Sequence, residues 1–147
     1  MTILEVTEND ADDWLQLALE LWPDYSLDEM NLVTDGIAQS PRETAFIVRD
    51  EQGTAIGFMN LSLRHDYVPG ATQQPVAYVE GLYVREPYQK QGIGRQLIHR
   101  AEQWARDQGC SELASDVLID NAPSAAFHSK AGFEEVERTI FFIKNVT

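Results

Sequence analysis

A strand, a glycine-containing turn and a long helix follow one another over residues 76–108, and this succession restricts the fold more than any other feature. Residues 76–85 (VAYVEGLYVR) are rich in β-branched and aromatic side chains and predict a strand. Residues 92–108 predict a helix that Gly109 ends. One face of this helix carries Ile93, Leu97, Ile98, Ala101, Trp104 and Ala105. The unit therefore predicts a helix packed on a sheet.

The remaining elements extend the same plan. A helix capped by Asn9 or Asp10 is predicted to run through Leu21. Further helices are predicted over 27–39 and 122–130, and further strands over 2–6, 44–50, 54–63, 112–118 and 135–144. Residues 64–75 predict a loop. The order indicates a single domain over 1–147 of the α/β (α+β) class, in which helices flank a central mixed sheet.

Charge and cysteine content limit the partners and the compartment. The chain has 24 acidic and 11 basic residues, a net charge of −13. This field repels phosphate backbones and anionic lipids, so we expect neither nucleic acid nor membrane as a partner, and it attracts cations. Solubility alone is the other explanation of such a charge. One cysteine, Cys110, no signal-peptide pattern and no long apolar run together predict a cytoplasmic protein.

The turn before the long helix has the properties of an anion cradle. Gly92 and Gly94 let the backbone turn tightly and approach a ligand. The first turn of a helix has free N–H groups and a partial positive charge, and Lys90 and Arg95 lie beside it. The phosphate-loop pattern is absent, and Leu97 stands where a dinucleotide fingerprint requires glycine. The turn therefore predicts a diphosphate site built mainly from main-chain amides.

Two motifs resemble the Gcn5-related N-acetyltransferase (GNAT) family. Residues 89–94 match its Gln-x-x-Gly-x-Gly motif, and residues 121–133 resemble its second segment, which ends in Gly132-Phe133. The resemblance implies the GNAT fold and acetyl-CoA as co-substrate. The residues it places against acetyl-CoA are Leu82, Tyr83, Val84, Gln89, Lys90, Gln91, Gly92, Ile93, Gly94, Arg95 and Asn121.

His128 marks a departure from this family. A tyrosine often stands at this position and is proposed to protonate the departing CoA thiolate. Histidine titrates near neutral pH and could supply that proton, or it could only pack against CoA. His128 is therefore a candidate catalytic acid.

Further stretches resemble one branch of the family, the aminoglycoside 6′-N-acetyltransferases. They include Leu21-Trp22-Pro23, residues 64–68 (RHDYV) and residues 79–84 (VEGLYV). The resemblance implies transfer of acetyl to the 6′-amine of aminoglycosides, which confers antibiotic resistance, and it implies a homodimer whose C-terminal strands are exchanged or paired. The side chains implied to line the aminoglycoside site are Trp22, Tyr67, Glu80, Asp116 and Glu137.

The chemistry of these side chains supports the same site. Glu80 interrupts an apolar strand, and a buried carboxylate needs a cation, a donor or water. Strand alternation predicts that Glu80 shares a face with Val76, Tyr78, Leu82 and Val84. Gly81 indicates a bulge beside it.

Three carboxylates, Glu80, Asp116 and Glu137, are predicted on separate strands that converge on a polyamine sugar. Trp22 and Tyr67 would supply apolar faces. Glu80 is the candidate base, and an N–H near Tyr83 the candidate oxyanion donor. A structural pairing of Glu80 with an arginine is the alternative.

Two other functions fit the sequence. The acceptor could be another amine, such as a polyamine or a protein amino terminus, because acidic pockets suit these as well. The chain could instead be a non-catalytic acyl-CoA sensor. The histidines lack metal-ligand spacing, so no metal is expected.

Overall fold

A computed structural model describes the whole chain, residues 1–147. The helices are α1 (Ala11–Leu21), α2 (Leu27–Gln39), α3 (Ile93–Asp107) and α4 (Ala122–Lys130). The strands are β1 (Thr2–Glu5), β2 (Glu43–Arg49), β3 (Ala55–Arg64), β4 (Val76–Val84) and β5 (Leu113–Ser115). Short 3₁₀ turns cover Glu8–Asp10 and Glu86–Tyr88.

The five strands form one mixed sheet in sequence order, from β1 to β5. Strands β1 to β4 are antiparallel to their neighbours, and β5 is parallel to β4. The predicted fold class is therefore confirmed. None of the helices combines the length and the hydropathy that a bilayer span requires.

Helices cover both faces of the sheet. On one face α3 packs against β2, β3 and β4, and all six apolar residues predicted for its inner face are buried. On the other face, α1 and α2 pack their buried Trp14, Leu17 and Met30 against Phe58 of β3. Two apolar side chains of α2, Leu27 and Leu32, are exposed on its outward side.

A bulge in β4 changes which side chains share a face. Asn60 of β3 pairs with Gly81 and Leu61 with Val79, so Glu80 has no partner in the ladder. The extra residue reverses the alternation. Glu80 lies on the α1/α2 face, whereas Leu82 and Val84 belong to the core beneath α3. The bulge at Gly81 is confirmed, and the prediction that Leu82 and Val84 share a face with Glu80 was wrong.

The strand predicted over 135–144 is absent, so this prediction was also wrong. Residues 133–147 have no regular secondary structure, and Phe141 and Phe142 are 92% and 90% exposed. A strand requires a hydrogen-bonded neighbour, and no strand of the sheet pairs with this segment. The segment 134–147, called the tail below, therefore leaves its apolar side chains in solvent.

Candidate active site

The turn before α3 presents a row of free backbone donors. Lys90 and Gly92 both have left-handed backbones, with φ of 62° and 82°. The first backbone hydrogen bond of the helix runs from the N–H of Gln96 to the carbonyl of Gly92. Every N–H from Lys90 to Arg95 lacks a partner within the chain. A helix N-terminus with successive free amides is a fitting site for a phosphate group.

Side chains of the same segment fix the turn rather than project from it. The Gln89 amide donates to the Val84 carbonyl at 2.7 Å, and the Arg95 guanidinium donates to the Lys130 carbonyl at 2.8 Å. The ring of Phe127 lies against Gly94, where an added Cβ would be 2.9 Å from the nearest ring carbon. Gly94 thus allows α4 to approach α3, whereas Gly92 is required by its positive φ.

One edge of β4 is open beside this turn. Strand β5 pairs only with Ala77 to Val79, so β4 has no neighbour on that side beyond the bulge. The N–H of Arg85 bonds to Ile56 on β3. Because backbone groups alternate, those of Leu82 and Val84 face the open edge, and those of Tyr83 face β3. An extended ligand can therefore add to Leu82 and Val84.

Glu80 is held by two neighbours on β3. Ser62 donates its hydroxyl to Oε2 at 2.6 Å, and Arg64 donates from Nε at 2.9 Å and from Nη2 to Oε1 at 2.7 Å. A carboxylate accepts about four hydrogen bonds, so one acceptor position remains on Oε1. These bonds to Glu80 raise the pKa of Arg64 above its usual range. The side chain of Glu80 is 31% exposed, so the carboxylate is accessible from solvent.

Arg64 also connects Glu80 to Asp116. Its guanidinium lies 3.5 Å from the centre of the Tyr78 ring, and the Tyr78 hydroxyl donates a short hydrogen bond to Asp116. Burial, reinforced by that bond to Asp116, raises the pKa of Tyr78 well above its usual value. The phenol therefore stays protonated at neutral pH. Asp116 lies just beyond the end of β5, so the predicted strand 112–118 is shorter than expected.

A cavity of about 470 Å³ opens in front of Glu80. Trp22 forms one wall, and its ring lies against Gly81, so close that an added Cβ would be 2.4 Å from the indole. The lining residues are Trp22, Tyr25, Met30, Leu32, Val33, Gly36, Ile37, Glu43, Asn60 and Glu80. Apolar walls with two carboxylates suit an amine-bearing ligand.

His128, on α4, lies beside the end of β5, whose last residue pairs with Val79 just before the bulge. Its Nδ1 is 2.8 Å from the Ser124 carbonyl, an acceptor only, so Nδ1 carries the proton. Its Nε2 is 2.8 Å from the Ser115 hydroxyl, which donates to the neutral ring. The ring of Phe133 lies 5.1 Å away, centroid to centroid. The orientation of the imidazole is therefore fixed by two hydrogen bonds and by packing.

The structure brings only some of the predicted acceptor residues together. Trp22 and Glu80 line the cavity, and Asp116 joins them through Tyr78 and Arg64. Tyr67 is 73% exposed, and Glu137 is exposed in the tail, where it accepts a hydrogen bond from Thr139. Neither lines the cavity within one chain. The prediction that Glu80, Asp116 and Glu137 lie on three strands was wrong, because only Glu80 is on a strand.

Sequence reasoning assigned no role to Asn60, Ser62 or Tyr78. All three are polar or hydroxyl-bearing side chains at alternate positions of β3 and β4 on the α1/α2 face. The alternation of Asn60, Ser62 and Arg64 was the signal that could have found this polar strip. Asn121, by contrast, caps α4 by accepting the Ser124 N–H. No group of three or more His, Cys, Asp or Glu side chains is arranged to hold a metal ion.

Comparison with known proteins gives a consistent result. The acetyltransferase (GNAT) family profile matches residues 6–133. The aminoglycoside N(6′)-acetyltransferase type 1 of Serratia marcescens is 41% identical over 94% of each chain. That of Acinetobacter baumannii is 37% identical over 99% of each chain.

Solved structures agree with these sequence matches. AAC(6′)-Iy, in complex with the bisubstrate analogue CoA-S-monomethyl-acetylneamine, superposes with a TM-score of 0.93. It is 35% identical, and the match covers 99% of this chain and 98% of that one. AAC(6′)-Ih from Acinetobacter baumannii has a TM-score of 0.91 at 34% identity, over 99% of each chain. The free amides before α3, the open edge of β4 and these matches together show that this chain belongs to the acetyltransferase (GNAT) family and, within it, to the aminoglycoside N(6′)-acetyltransferases of type 1.

Proposed function

We propose that this protein transfers the acetyl group of acetyl-CoA to the 6′-amine of aminoglycosides by direct attack of the amine. One observation carries the proposal: the carboxylate-lined cavity ends at the bulge where the open edge of β4 begins. A cationic amine in the cavity and an acyl group along Leu82 to Val84 would therefore meet beside Glu80. The relatives named above support the choice of acceptor.

Acetyl-CoA supplies the activated acyl group, and the chain has matching groups for it. The free amides from Lys90 to Arg95 fit its diphosphate. The outward backbone groups of Leu82 and Val84 fit the amides of its pantetheine arm, in the manner of an added strand. The Val84 carbonyl already accepts a hydrogen bond from Gln89. The N–H of Val84 and the N–H and carbonyl of Leu82 therefore remain available to the pantetheine arm. One of these N–H groups, rather than that of Tyr83, would polarise the thioester carbonyl.

Glu80 is the proposed base. The attacking ammonium must first lose a proton, and Glu80 lines the cavity with one acceptor position on Oε1 not used within the chain. Ser62 and Arg64 hold the other positions, so the carboxylate cannot rotate freely. Replacing Glu80 with Gln retains the shape and should lower turnover roughly 100-fold or more while acetyl-CoA binds normally. Unchanged turnover would contradict this role.

His128 is the proposed acid for the departing thiolate. With Nδ1 protonated, the neutral ring has no proton on Nε2, so only the imidazolium can donate from that atom. Ser115 would then accept from Nε2 and pass its own proton on. Packing against CoA is the alternative role, and the two roles predict different pH profiles.

The acceptor residues fall into two groups. Trp22 lines the cavity, and Asp116 is linked to Glu80 through Tyr78 and Arg64; these two would contact the sugar rings and amines directly. Tyr67 and Glu137 would reach the acceptor only if the loop 64–75 and the tail close over it or meet a second chain. Val136 supports this arrangement because its side chain lies against Gly70 of the loop, so the start of the tail is already beside it.

The tail supports a homodimer. It exposes Ile140, Phe141, Phe142 and Ile143 in an isolated chain, and β5 has an unpaired edge beside a groove of about 650 Å³. Exchange of tails between two chains would bury these apolar side chains and would pair the free edge of β5. Removing residues 140–147 should convert the dimer to a monomer, and light scattering would measure the mass of each. A full-length protein that is monomeric at micromolar concentration would contradict the exchange of tails. We place the protein in the cytoplasm, where acetyl-CoA is available.

A thiol-release assay with acetyl-CoA tests the function. Kanamycin should release CoA efficiently, whereas spermidine and an amino-terminal peptide should not. Faster release with spermidine or the peptide would assign another amine as acceptor. No release with any amine, with acetyl-CoA still bound, would favour a sensor.

A further inference from the structure

Asn60 is an unusual residue at the floor of the acceptor cavity. It lies in the middle of β3, is 2% exposed, and is surrounded by apolar strand residues. A primary amide buried in this way is unfavourable unless its hydrogen-bonding groups find partners. The partners of its two ends therefore indicate its role.

One end of the amide is fixed by Trp14. The indole Nε1 of Trp14, itself 3% exposed, lies 3.0 Å from the Asn60 side chain. Indole nitrogen only donates, so the atom that faces it is the oxygen Oδ1. The side-chain nitrogen Nδ2 must then point the opposite way, and an exchange of the two ends would place two donors together.

Nδ2 makes no hydrogen bond within the chain, since the only side-chain bond of Asn60 is that with Trp14. Every fully enclosed side-chain nitrogen or oxygen in the protein has a hydrogen-bond partner. Nδ2 has none, so it is not fully enclosed and contacts solvent. Asn60 lines the cavity together with Trp22 and Glu80. The amide hydrogens on Nδ2 consequently point into the cavity, where the amine substrate that accepts the acetyl group would lie.

We infer that Asn60 is a specificity-determining residue that donates a hydrogen bond to a neutral oxygen of the acceptor, next to the amine that reacts. This inference rests on the proposed function. Glu43 and Glu80 accept hydrogen bonds and attract ammonium groups, whereas Nδ2 can only donate and opposes a cation. The cavity thus distinguishes an oxygen position from the amine positions around it.

The register places that oxygen close to the reacting amine. Asn60 pairs with Gly81, the residue directly after Glu80. Neighbouring strands lie about 5 Å apart, so Asn60 is one strand spacing from Gly81 and lies close to Glu80, the residue before it. An amine at Glu80 and an oxygen at Asn60 are therefore separated by a few bonds, as in an amino sugar whose ring oxygen or neighbouring hydroxyl flanks the aminomethyl carbon. Linear polyamines have no such oxygen and would leave the buried donor unpaired.

Matched acceptors test this inference. The parent is a 6-amino-6-deoxyglucoside, compared with its 4-deoxy analogue and its carbocyclic analogue, in which CH₂ replaces the ring oxygen. With the wild-type enzyme, deletion of the contacted oxygen should lower kcat/KM roughly 10- to 100-fold, the range expected for an unpaired buried donor. With the Asn60→Asp variant, which retains an acceptor for Trp14 but no donor, the parent and the analogue should react equally.

Two further variants separate recognition from stability. Trp14→Phe combined with Asn60→Ala removes both partners, so neither is left unpaired, and this variant should also lose the discrimination. Thr34→Val is the control, because Thr34 is buried but bonds only to carbonyls of its own helix and does not line the cavity. It should discriminate as the wild type does.

The outcomes are distinct. If the wild type acetylates the parent but neither oxygen deletion changes kcat/KM, the inference is wrong and the proposed function stands. The inference is also overturned if the Asn60 variants discriminate as strongly as the wild type. If the wild type acetylates no amino sugar at all, the proposed function itself fails.

Discussion

The contact between Trp22 and Gly81 gives the sharpest prediction about the acceptor cavity. A Cβ added at Gly81 would lie 2.4 and 2.6 Å from two carbons of the Trp22 benzo ring. Carbon atoms normally approach to about 3.5–4.0 Å, so the indole must move by about 1 Å. Gly81 has no positive φ, so the cost of Gly81→Ala is steric rather than conformational.

The magnitude follows from the displaced ring. Overpacking of this kind costs about 1–3 kcal/mol, and about 2–4 °C of Tm accompanies each kcal/mol in a chain of this size. Trp22 also packs edge-on against Phe58, with centroids 5.9 Å apart, so the ring cannot move freely inward. A shift of about 1 Å in a substrate wall can lower kcat/KM for the aminoglycoside roughly 100-fold, whereas acetyl-CoA affinity should be unchanged.

The double variant provides the control. Trp22→Phe lacks the two carbons that clash, so combining it with Gly81→Ala should recover most of the lost Tm. Gly36→Ala is the matched control on the opposite wall, because nothing lies within 4 Å of its added Cβ, and helix propensity should raise its Tm slightly. Differential scanning calorimetry and steady-state kinetics measure both effects. A normal Tm for Gly81→Ala, or no recovery in the double variant, would refute the reasoning.

Three further predictions concern the acetyl-CoA site, the proposed acid His128 and the pH dependence of stability. Gly94→Val should weaken acetyl-CoA binding, as measured by calorimetry, because the added side chain would displace Phe127 and disturb the packing of α4 against the start of α3. Unchanged affinity would contradict this prediction. His128→Tyr should retain activity and His128→Phe should lose it roughly 10- to 100-fold, with equal activities excluding an acid role. Hydrogen bonds from Arg85 and then Tyr83 hold the pKa of Glu20 below its usual 4.5. The stabilisation by this ion pair is therefore complete above that value and is lost as pH falls through the lower folded pKa. Glu20→Gln should flatten the decline in Tm as pH falls below 4.5, and an unchanged slope would contradict the assignment.

The sequence predicted the elements of this fold well where local pattern decides them. Helix α3 has the expected inner face, and α2 occupies the predicted residues 27–39. The bulge at Gly81 was also predicted, but its effect on Leu82 and Val84 was not, because one unpaired residue reverses the alternation of everything after it.

The predictions about the site were wrong or incomplete where the site depends on contacts between residues distant in sequence. The tail has the composition of a strand, yet pattern cannot supply the neighbour that a strand needs, and the isolated chain leaves Phe141 in solvent. Asn60 and Trp14 are 46 positions apart, so no local motif joins them. The resemblance that assigned Tyr67 and Glu137 to the acceptor site did not indicate how an exposed loop and tail would reach it.

Transfer to the 6′ position is the claim most directly open to measurement. Two aminoglycosides that differ only in bearing an amine or a hydroxyl at 6′ are incubated with acetyl-CoA and the enzyme. Mass spectrometry and NMR then determine the number and position of acetyl groups. We predict a single acetyl on the 6′ nitrogen of the first and no product with the second. Acetylation of both compounds at another amine would contradict the proposed function.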